Sequence, residues 1–343
     1  MGQDLLAWYD RSHRRLPWRD LAVGDPYRIW VSEVMLQQTT VAAVGPRYAR
    51  FLSRFPDVEA LAAADWAELA EEWAGLGYYA RARNLHAAAQ AIAAGGWPRD
   101  SAGWRALPGI GPYTAAALGA IALGEAVVPV DGNVERVVAR VFAVEAPLPG
   151  AKGELARLAQ GFAVQPAVRA RPGDFAQALF DLGATICTPR RPACALCPWR
   201  PGCAGFARGI QDTLPRKPAK AAARLIFGTH FALTDPEGRL WLQRRPASGL
   251  LGGMLALPGT PWRDTPWGEA EALVHAPVEA GPLQPAWALL PGEARHAFTH
   301  RALTMRLMAA RVPALPPGDA APLAEAARLL PTAMRGLLAL LPG

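Results

Sequence analysis

All four cysteines of the chain lie between Cys187 and Cys203, in the spacing C-x6-C-x2-C-x5-C, so Cys187, Cys194, Cys197 and Cys203 can converge on one centre with no thiol left over. Two disulfides inside so short a segment would close only local loops and add little to a chain of 343 residues that can bury its own core. The spacing therefore reads as a ligand set. Structural zinc usually takes two tight Cys-x-x-Cys knuckles, and only Cys194 and Cys197 have that spacing. Wide outer gaps suit a loop wrapped around a four-iron four-sulfur cluster better, with zinc as the alternative. Pro189, Pro192, Pro198 and Pro201 stiffen this loop, and Arg190, Arg191, Arg200 and Arg208 surround it with positive charge.

Two carboxylic acids stand in contexts that could support acid–base work. Glu33 is the only charge between Trp30 and Leu36, among Val31, Val34 and Met35. A carboxyl desolvated there would stay protonated near neutrality, the state a general acid needs. The plainer reading is a glutamate on the polar face of its helix, beside Ser32, Gln37 and Gln38. Asp131, in VVPVDGNVERVVARVF, sits between an apolar approach and an amphipathic helix, where it can cap the helix, act as a catalytic carboxylate, or both. Two carboxyls in different surroundings can divide acid and stabilising roles at a glycosidic bond.

These groups need elements to hold them. Residues 26–44 read as one helix carrying Glu33, and Asp65 to Trp73 and Arg83 to Ala94 as further helices. In ALPGIGPYTAAALGAIALG, Pro108, Gly109 and Gly111 form a tight turn opening onto a helix expected to begin near Thr114. Exposed amides in such a turn suit a phosphate, although an ordinary helix–helix turn has the same signature. Residues 1–210 are thus expected to be almost all helical, and the polar, basic stretch 211–224 to be a linker. From Leu225 onward LIFGTHFALTD and GRLWLQRR, separated by Asp-Pro-Glu-Gly, carry a hairpin signature, so residues 225–343 read as α+β. A formal charge of +7 favours a polyanionic partner. No apolar run reaches the length of a membrane span, and the charged, aromatic N-terminus is unlike a secretory signal. The expectation is a cytoplasmic protein without a membrane partner.

Taken together, LPWR (Leu16 to Arg19), SEVMLQQT (Ser32 to Thr39), GLGYYARARNLH (Gly75 to His86), LPGIGPYTA (Leu107 to Ala115), VDGNVERV (Val130 to Val137) and the cysteine loop resemble the MutY adenine DNA glycosylase family. That family belongs to the helix-hairpin-helix superfamily, which also contains endonuclease III. The resemblance implies an all-α helix-hairpin-helix glycosylase domain with a 4Fe-4S cluster on the four cysteines, followed by a C-terminal α+β Nudix-like domain. It makes Glu33 the general acid and Asp131 the stabiliser of a sugar cation, with Tyr113 and Asn133 lining the site. Trp18 and Arg19 would border the base pocket. Gln38, Leu76 and Tyr78 would wedge into duplex DNA, although Tyr78 could equally be a packing residue, and Gly109 and Gly111 would meet the DNA backbone. Endonuclease III carries a Schiff-base lysine where this chain has Tyr113, so a monofunctional glycosylase is implied rather than a lyase.

Residues 225–343 resemble the Nudix-like domain of the same family through RRPASGLLGGMLALPG (Arg244 to Gly259) and RHAFTHRAL (Arg295 to Leu303). The REx2EE magnesium helix of a working Nudix hydrolase is missing; only Glu269 and Glu271 follow the glycine-rich loop. The domain is therefore expected to read rather than to hydrolyse, with Phe298, Thr299 and His300 inspecting 8-oxoguanine. Thr299 replaces the family's serine and keeps a hydroxyl, while His300 could instead be an ordinary core or surface histidine. The implied function is hydrolysis of the adenine N-glycosidic bond at A:8-oxoguanine or A:G mismatches in double-stranded DNA, by a monomer acting in base excision repair. An endonuclease III-like glycosylase/lyase and a nonenzymatic iron–sulfur DNA-binding module are the competing readings.

Overall fold

A computed structural model of the protein describes all residues except 21–23, 219–222, 247–248, 278–284, 299 and 343. It divides into two compact units, Met1–Pro218 and Ala219–Gly343.

The first unit is helical, as the 3.6-residue periodicity requires. Its elements are α1 (Gly2–Ser12), α2 (Pro17–Asp20), α3 (Pro26–Leu36), α4 (Val41–Arg54), α5 (Val58–Ala63), α6 (Trp66–Glu72), α7 (Tyr79–Gly95), α8 (Ser101–Arg105), α9 (Pro112–Ala122), α10 (Gly132–Val141), α11 (Lys152–Gln160), α12 (Pro166–Ala170), α13 (Pro172–Asp181) and α14 (Ala204–Ala207). Six of these fourteen starts are written in the sequence as capping side chains. Asp25, Thr40, Asp57, Asp65, Asp100 and Asp131 each accept a backbone N–H of the first turn of the helix they precede. The single helix expected over residues 26–44 is two helices. Thr40 caps α4, and Gln38 between them adopts the left-handed backbone at φ 55°. The helix after the glycine turn begins at Pro112 rather than near Thr114, because proline at the first helical position lacks only an N–H that would have had no partner there.

Two cores organise this unit. One gathers α2 to α9 around Trp30, Trp73, Trp104, Tyr48 and Phe51; the other gathers α1 and α10 to α13 around Leu5, Val134, Val138, Phe175 and Trp199. Before α10 no strand forms; instead the side-chain amide of Gln160 brackets Val128, accepting from its N–H at 3.0 Å and donating to its carbonyl at 2.7 Å. The end of α13 continues into a π-helical turn, Leu182–Ile186, which leads directly to Cys187. Within 211–224, Gln211–Thr213 forms a 3-10 turn, and Leu214 is buried in the second core while its carbonyl accepts Arg140 Nε. This part of the expected linker is packed on the first unit.

The second unit carries a mixed sheet. Strands β1 (Arg224–Thr234) and β2 (Arg239–Arg244) form the expected hairpin; Asp235 closes it by accepting from the N–H and guanidinium of Arg239. Along its length β1 also pairs in parallel with β6 (Arg301–Arg311). Strands β3 (Leu255–Ala256), β4 (Ala288–Leu289), β5 (Ala294–Ala297) and β7 (Asp319–Pro322) extend the sheet, in the order β3-β2-β1-β6-β4 with β5 on β6 and β7 on β2. Helices α15 (Glu269–Leu273), α16 (Leu323–Leu329) and α17 (Thr332–Leu338) accompany it. The fold is α+β, as the change of sequence pattern at Leu225 implies.

Candidate active site

Glu33 and Asp131 come from different cores of the first unit and line the same cavity, of about 230 Å³. Glu33 stands on α3 and is 8% exposed. Its Oε2 accepts the hydroxyl of Tyr113, on α9, at 2.9 Å. Burial pushes its carboxyl up to about 7; the Tyr113 hydrogen bond opposes the rise and the charge of Asp131 adds to it. Burial also raises the Tyr113 phenol well above its ordinary value, so it remains a hydrogen-bond donor.

Asp131 is the cap of α10 and more than a cap. Its Oδ1 accepts the N–H groups of Asn133 and Val134 at 2.9 and 2.8 Å, and its Oδ2 accepts Asn133 Nδ2 at 2.8 Å. Asn133 is held in turn by Arg136, whose Nη2 donates to Asn133 Oδ1 at 2.9 Å and to the carbonyl of Gly183 at 2.7 Å, while its Nε donates to the carbonyl of Cys187 at 2.7 Å. The cap is therefore tied through two side chains to the start of the cysteine loop. Gly183 leaves no room for a side chain here, since a Cβ would stand 2.7 Å from that of Asn133.

A third carboxyl stands behind the lining residues Arg14 and Arg19, and sequence reading missed it. Asp181, the last residue of α13, is fully buried. It accepts Arg19 Nη1 and Nη2 at 2.7 and 2.9 Å, and the Nε and backbone N–H of Arg14 at 2.5 and 3.0 Å. Burial alone would raise its pKa, but the two guanidiniums outweigh that and hold it below the ordinary carboxylate range. The lone acid in the apolar run FAQALFDLG was the available signal. Arg19 and Trp18 both line the cavity, with Trp18 edge-on to Tyr48 at 5.9 Å. Leu16, Ile29, Leu36 and Phe180 supply apolar walls. The cavity thus offers apolar walls with one protonatable acid and one amide-bound carboxylate.

Gln38, Leu76 and Tyr78 do not all lie where the sequence reading puts them. Tyr78 is 58% exposed and Gln38 is exposed as well, and both have left-handed backbones, at φ 47° and 55°. Leu76 is instead buried, at 4%, because the turn after Trp73 folds it into the first core. Its expected place as a surface wedge is corrected accordingly. Gly109 holds the turn between α8 and α9 at φ 73°, where a Cβ would stand 2.4 Å from that of Asn84; Gly111 caps α9 through its backbone.

The four cysteines line one cavity with Arg140, Val137, Leu182, Trp199 and Phe206, and all are free thiols. Arg140 is 2% exposed; its Nη1 donates to Cys187 Sγ at 3.4 Å and to the carbonyl of Thr188 at 2.7 Å, and its Nη2 donates to that of Pro189 at 3.2 Å. A buried cation touching a thiol suits anionic sulfur ligands. Four thiols lining one cavity beside a buried guanidinium fit the donor set of an iron–sulfur centre.

In the second unit, Phe298 packs on the domain core, edge-on to His296 at 4.7 Å, and its N–H closes a turn onto the carbonyl of Arg301 at 2.7 Å. His300 is exposed. Thr299 lies outside the described residues. The carboxylate of Glu271 is engaged by Arg263 and the N–H of Gly268, at 2.6 and 3.0 Å. Among the described residues, no helix is long and apolar enough to cross a membrane.

Comparison with known proteins agrees with this division. Residues 31–160 match the family described as HhH-GPD superfamily base excision DNA repair protein, and residues 229–340 match the NUDIX domain. The chain is 33% identical to the mouse (Mus musculus) adenine DNA glycosylase over 93% of its own length and 72% of that protein's. It is 35% identical to the human (Homo sapiens) adenine DNA glycosylase, over 88% of its own length and 65% of that protein's. Among solved structures, a thermostable thymine-DNA glycosylase superposes with a TM-score of 0.53 at 29% identity, over 60% of this chain and 95% of that one.

The elevated Glu33 pKa makes stability depend on pH in a definite direction. Folding takes this carboxyl from 4.5 to about 7, so between those values the folded state binds more protons and stability falls as pH rises through the window. Glu33→Gln removes that fall. Urea midpoints at pH 5 and pH 8 are expected to differ less in the variant, which should gain up to about 3 kcal/mol at pH 8. A variant less stable than wild type at pH 8 would contradict the assignment.

Proposed function

The chain belongs to the adenine DNA glycosylase family, and from that premise we propose that it removes adenine mispaired with 8-oxoguanine or guanine in duplex DNA, leaving an abasic site. The observation that carries this reading is the juxtaposition of Glu33, buried and raised to about 7, with Asp131 across one cavity. Within a duplex the glycosidic bond is inaccessible, so the adenine must be extruded into that cavity. Protonated Glu33 donates to ring nitrogen 7, and the bond between the base nitrogen and the sugar carbon breaks with its electron pair leaving on a neutral base. The carboxylate of Asp131, held in place by Asn133 and Arg136, offsets the positive charge left on the sugar. Water adds its oxygen to the sugar carbon and releases a proton.

Tyr113 supports a monofunctional reaction. Its hydroxyl donates to Glu33, and a phenol cannot form the Schiff base that a lyase requires. Trp18, Phe180 and Leu16 enclose the plane of the base, and Arg19, fixed on Asp181, forms its polar border. The turn at Gly109 and Gly111 would meet the DNA backbone, and Gln38 and Tyr78, both exposed, would enter the stack.

Cys187, Cys194, Cys197 and Cys203 would hold a 4Fe-4S cluster, with Arg140 balancing the charge of its thiolates. When bound it supplies a cross-link that stiffens the basic loop and anchors Arg136 through the carbonyl of Cys187. The second unit is read as a monitor of the base opposite adenine. Phe298 carries that role, with Thr299 and His300 beside it in sequence. Absence of the magnesium helix and the engagement of Glu271 support reading over hydrolysis. We take the acting species to be a monomer.

Single-turnover release of adenine from an A:8-oxoguanine duplex tests the chemistry. The rate is expected to fall about tenfold per unit above pH 7, as the general acid loses its proton. Glu33→Gln should lower the rate by on the order of 100-fold or more while sparing mismatch binding. A flat profile from pH 6 to 8, or equal loss of binding and release, would reject Glu33 as the acid. For the second unit, Phe298→Ala is expected to reduce preference for 8-oxoguanine over guanine opposite adenine about tenfold, the scale of one lost base–aromatic stack. Equal slowing on both duplexes would reject the monitoring role.

A further inference from the structure

Gln38 and Tyr78, the two residues placed to enter the DNA stack, stand on separate loops, and each holds a left-handed backbone that an L side chain rarely adopts. Neither loop contains a helical or sheet bond to the other that would fix their separation. One side chain does. Arg81, in the first turn of α7, points its guanidinium between them. Its Nη1 donates to the carbonyls of Val34 and Met35 at 2.7 and 3.0 Å, the last turn of the helix that carries Glu33. Its Nη2 donates to Thr39 Oγ1 at 3.1 Å and to the carbonyls of Leu76 and Gly77 at 2.9 and 3.3 Å. The same group lies over the rings of Trp73 and Tyr78, at 5.5 and 5.8 Å. Among the described residues it forms no ion pair, and it is half-buried.

A half-buried cation bonded only to neutral oxygens from two loops is an expensive arrangement for mere packing, which an apolar side chain would satisfy better. What it provides is geometry. A planar guanidinium fixes the directions of its donors, so the end of α3 on Nη1 and the two loops that share Nη2 are held at one spacing. Its charge also faces the carbonyl end of α3, where a cation is favourable and where α3 has no basic residue of its own in the last turn.

We propose that Arg81 is a positioning residue that clamps the 37–39 turn to the 75–78 loop, so that Gln38 and Tyr78 enter the duplex as one rigid device registered to the helix bearing Glu33. This rests on the reading that those two residues enter the stack. Loss of the clamp impairs extrusion of adenine and leaves chemistry on an already extruded base intact. Lysine does not replace it, because a single ammonium cannot present a fixed fork to the end of α3 and to both loops at once.

The test uses the full-length, cluster-loaded protein and two substrates: a duplex with adenine opposite 8-oxoguanine, and one with adenine unpaired in a short bulge. Arg81→Lys is expected to lower the single-turnover rate on the paired duplex on the order of 100-fold, the scale of a small misplacement of a reacting group, and to change the bulge rate by less than about threefold. Thr39→Val, which removes one acceptor and keeps the shape, should show a weaker loss of the same pattern and serves if Arg81→Lys fails to fold. Equal loss on both substrates, or no loss on either, overturns the clamp. Gln38→Ala and Tyr78→Ala separate the two levels of the argument. If they leave the paired rate unchanged, the stack-entry reading fails and the clamp falls with it. If they slow it while Arg81→Lys and Thr39→Val do not, the clamp alone fails.

Discussion

A carboxyl removed from water and given no cation of its own is the constraint on which the first unit turns. Glu33 is buried on α3 with a phenol as its hydrogen-bond partner, and burial raises it while the nearest positive charge is engaged elsewhere. Arg19 lines the same cavity, yet its two terminal nitrogens are fixed on Asp181. Its lowering effect on Glu33 is accordingly the weakest of the four influences acting there. Two acids in the pocket and a third behind Arg19 thus take three conditions from three surroundings. Glu33 keeps a proton near neutrality, Asp181 is held ionised by two arginines, and Asp131 is bound by two backbone amides and a side-chain amide. This is the division that separates an acid from a charge stabiliser at one reacting bond.

The helical scaffold serves that division by bringing two cores together at the cavity. Glu33 and Tyr113 belong to elements of one core; Asp131, Asn133 and Asp181 belong to elements of the other. Their alignment depends on the π-helical turn after α13, where Gly183 lets Asn133 approach and its carbonyl takes the second bond of Arg136. Local departures from α-geometry of this kind often mark functional positions. Here the departure lets one arginine join the aspartate cap to the first residue of the cysteine loop, so the rigidity of the loop and the orientation of the carboxylate are coupled through covalent chain and hydrogen bonds alone.

The parts of this arrangement that were legible in the sequence are those with local signals. Glu33 among Val31, Val34 and Met35, Asp131 before an amphipathic helix, the glycine turn and the cysteine spacing each announce a local environment, and the hairpin of the second unit announces itself through its turn. What escaped was decided by partners far along the chain. Asp181 meets Arg14 and Arg19 across more than 160 residues, and Arg81 meets the end of α3 across more than 40. The break at residues 37–40 was hidden because it holds no glycine or proline, leaving the polar run Gln37 to Thr40 and the Thr40 cap as its cues. Leu76 was misplaced because a leucine beside an exposed tyrosine gives no sign of which of the two the core will take.

Direct titration of the Glu33 side chain tests the central claim most simply. In the carbon-13 spectrum of protein labelled at glutamate carboxyls, the resonance lost in Glu33→Gln identifies the group in wild type. It is expected to titrate near pH 7, far above the ordinary value of 4.5. Titration at that ordinary value would mean that water or a cation reaches the carboxyl, and the proposed division of labour among the three acids would be wrong.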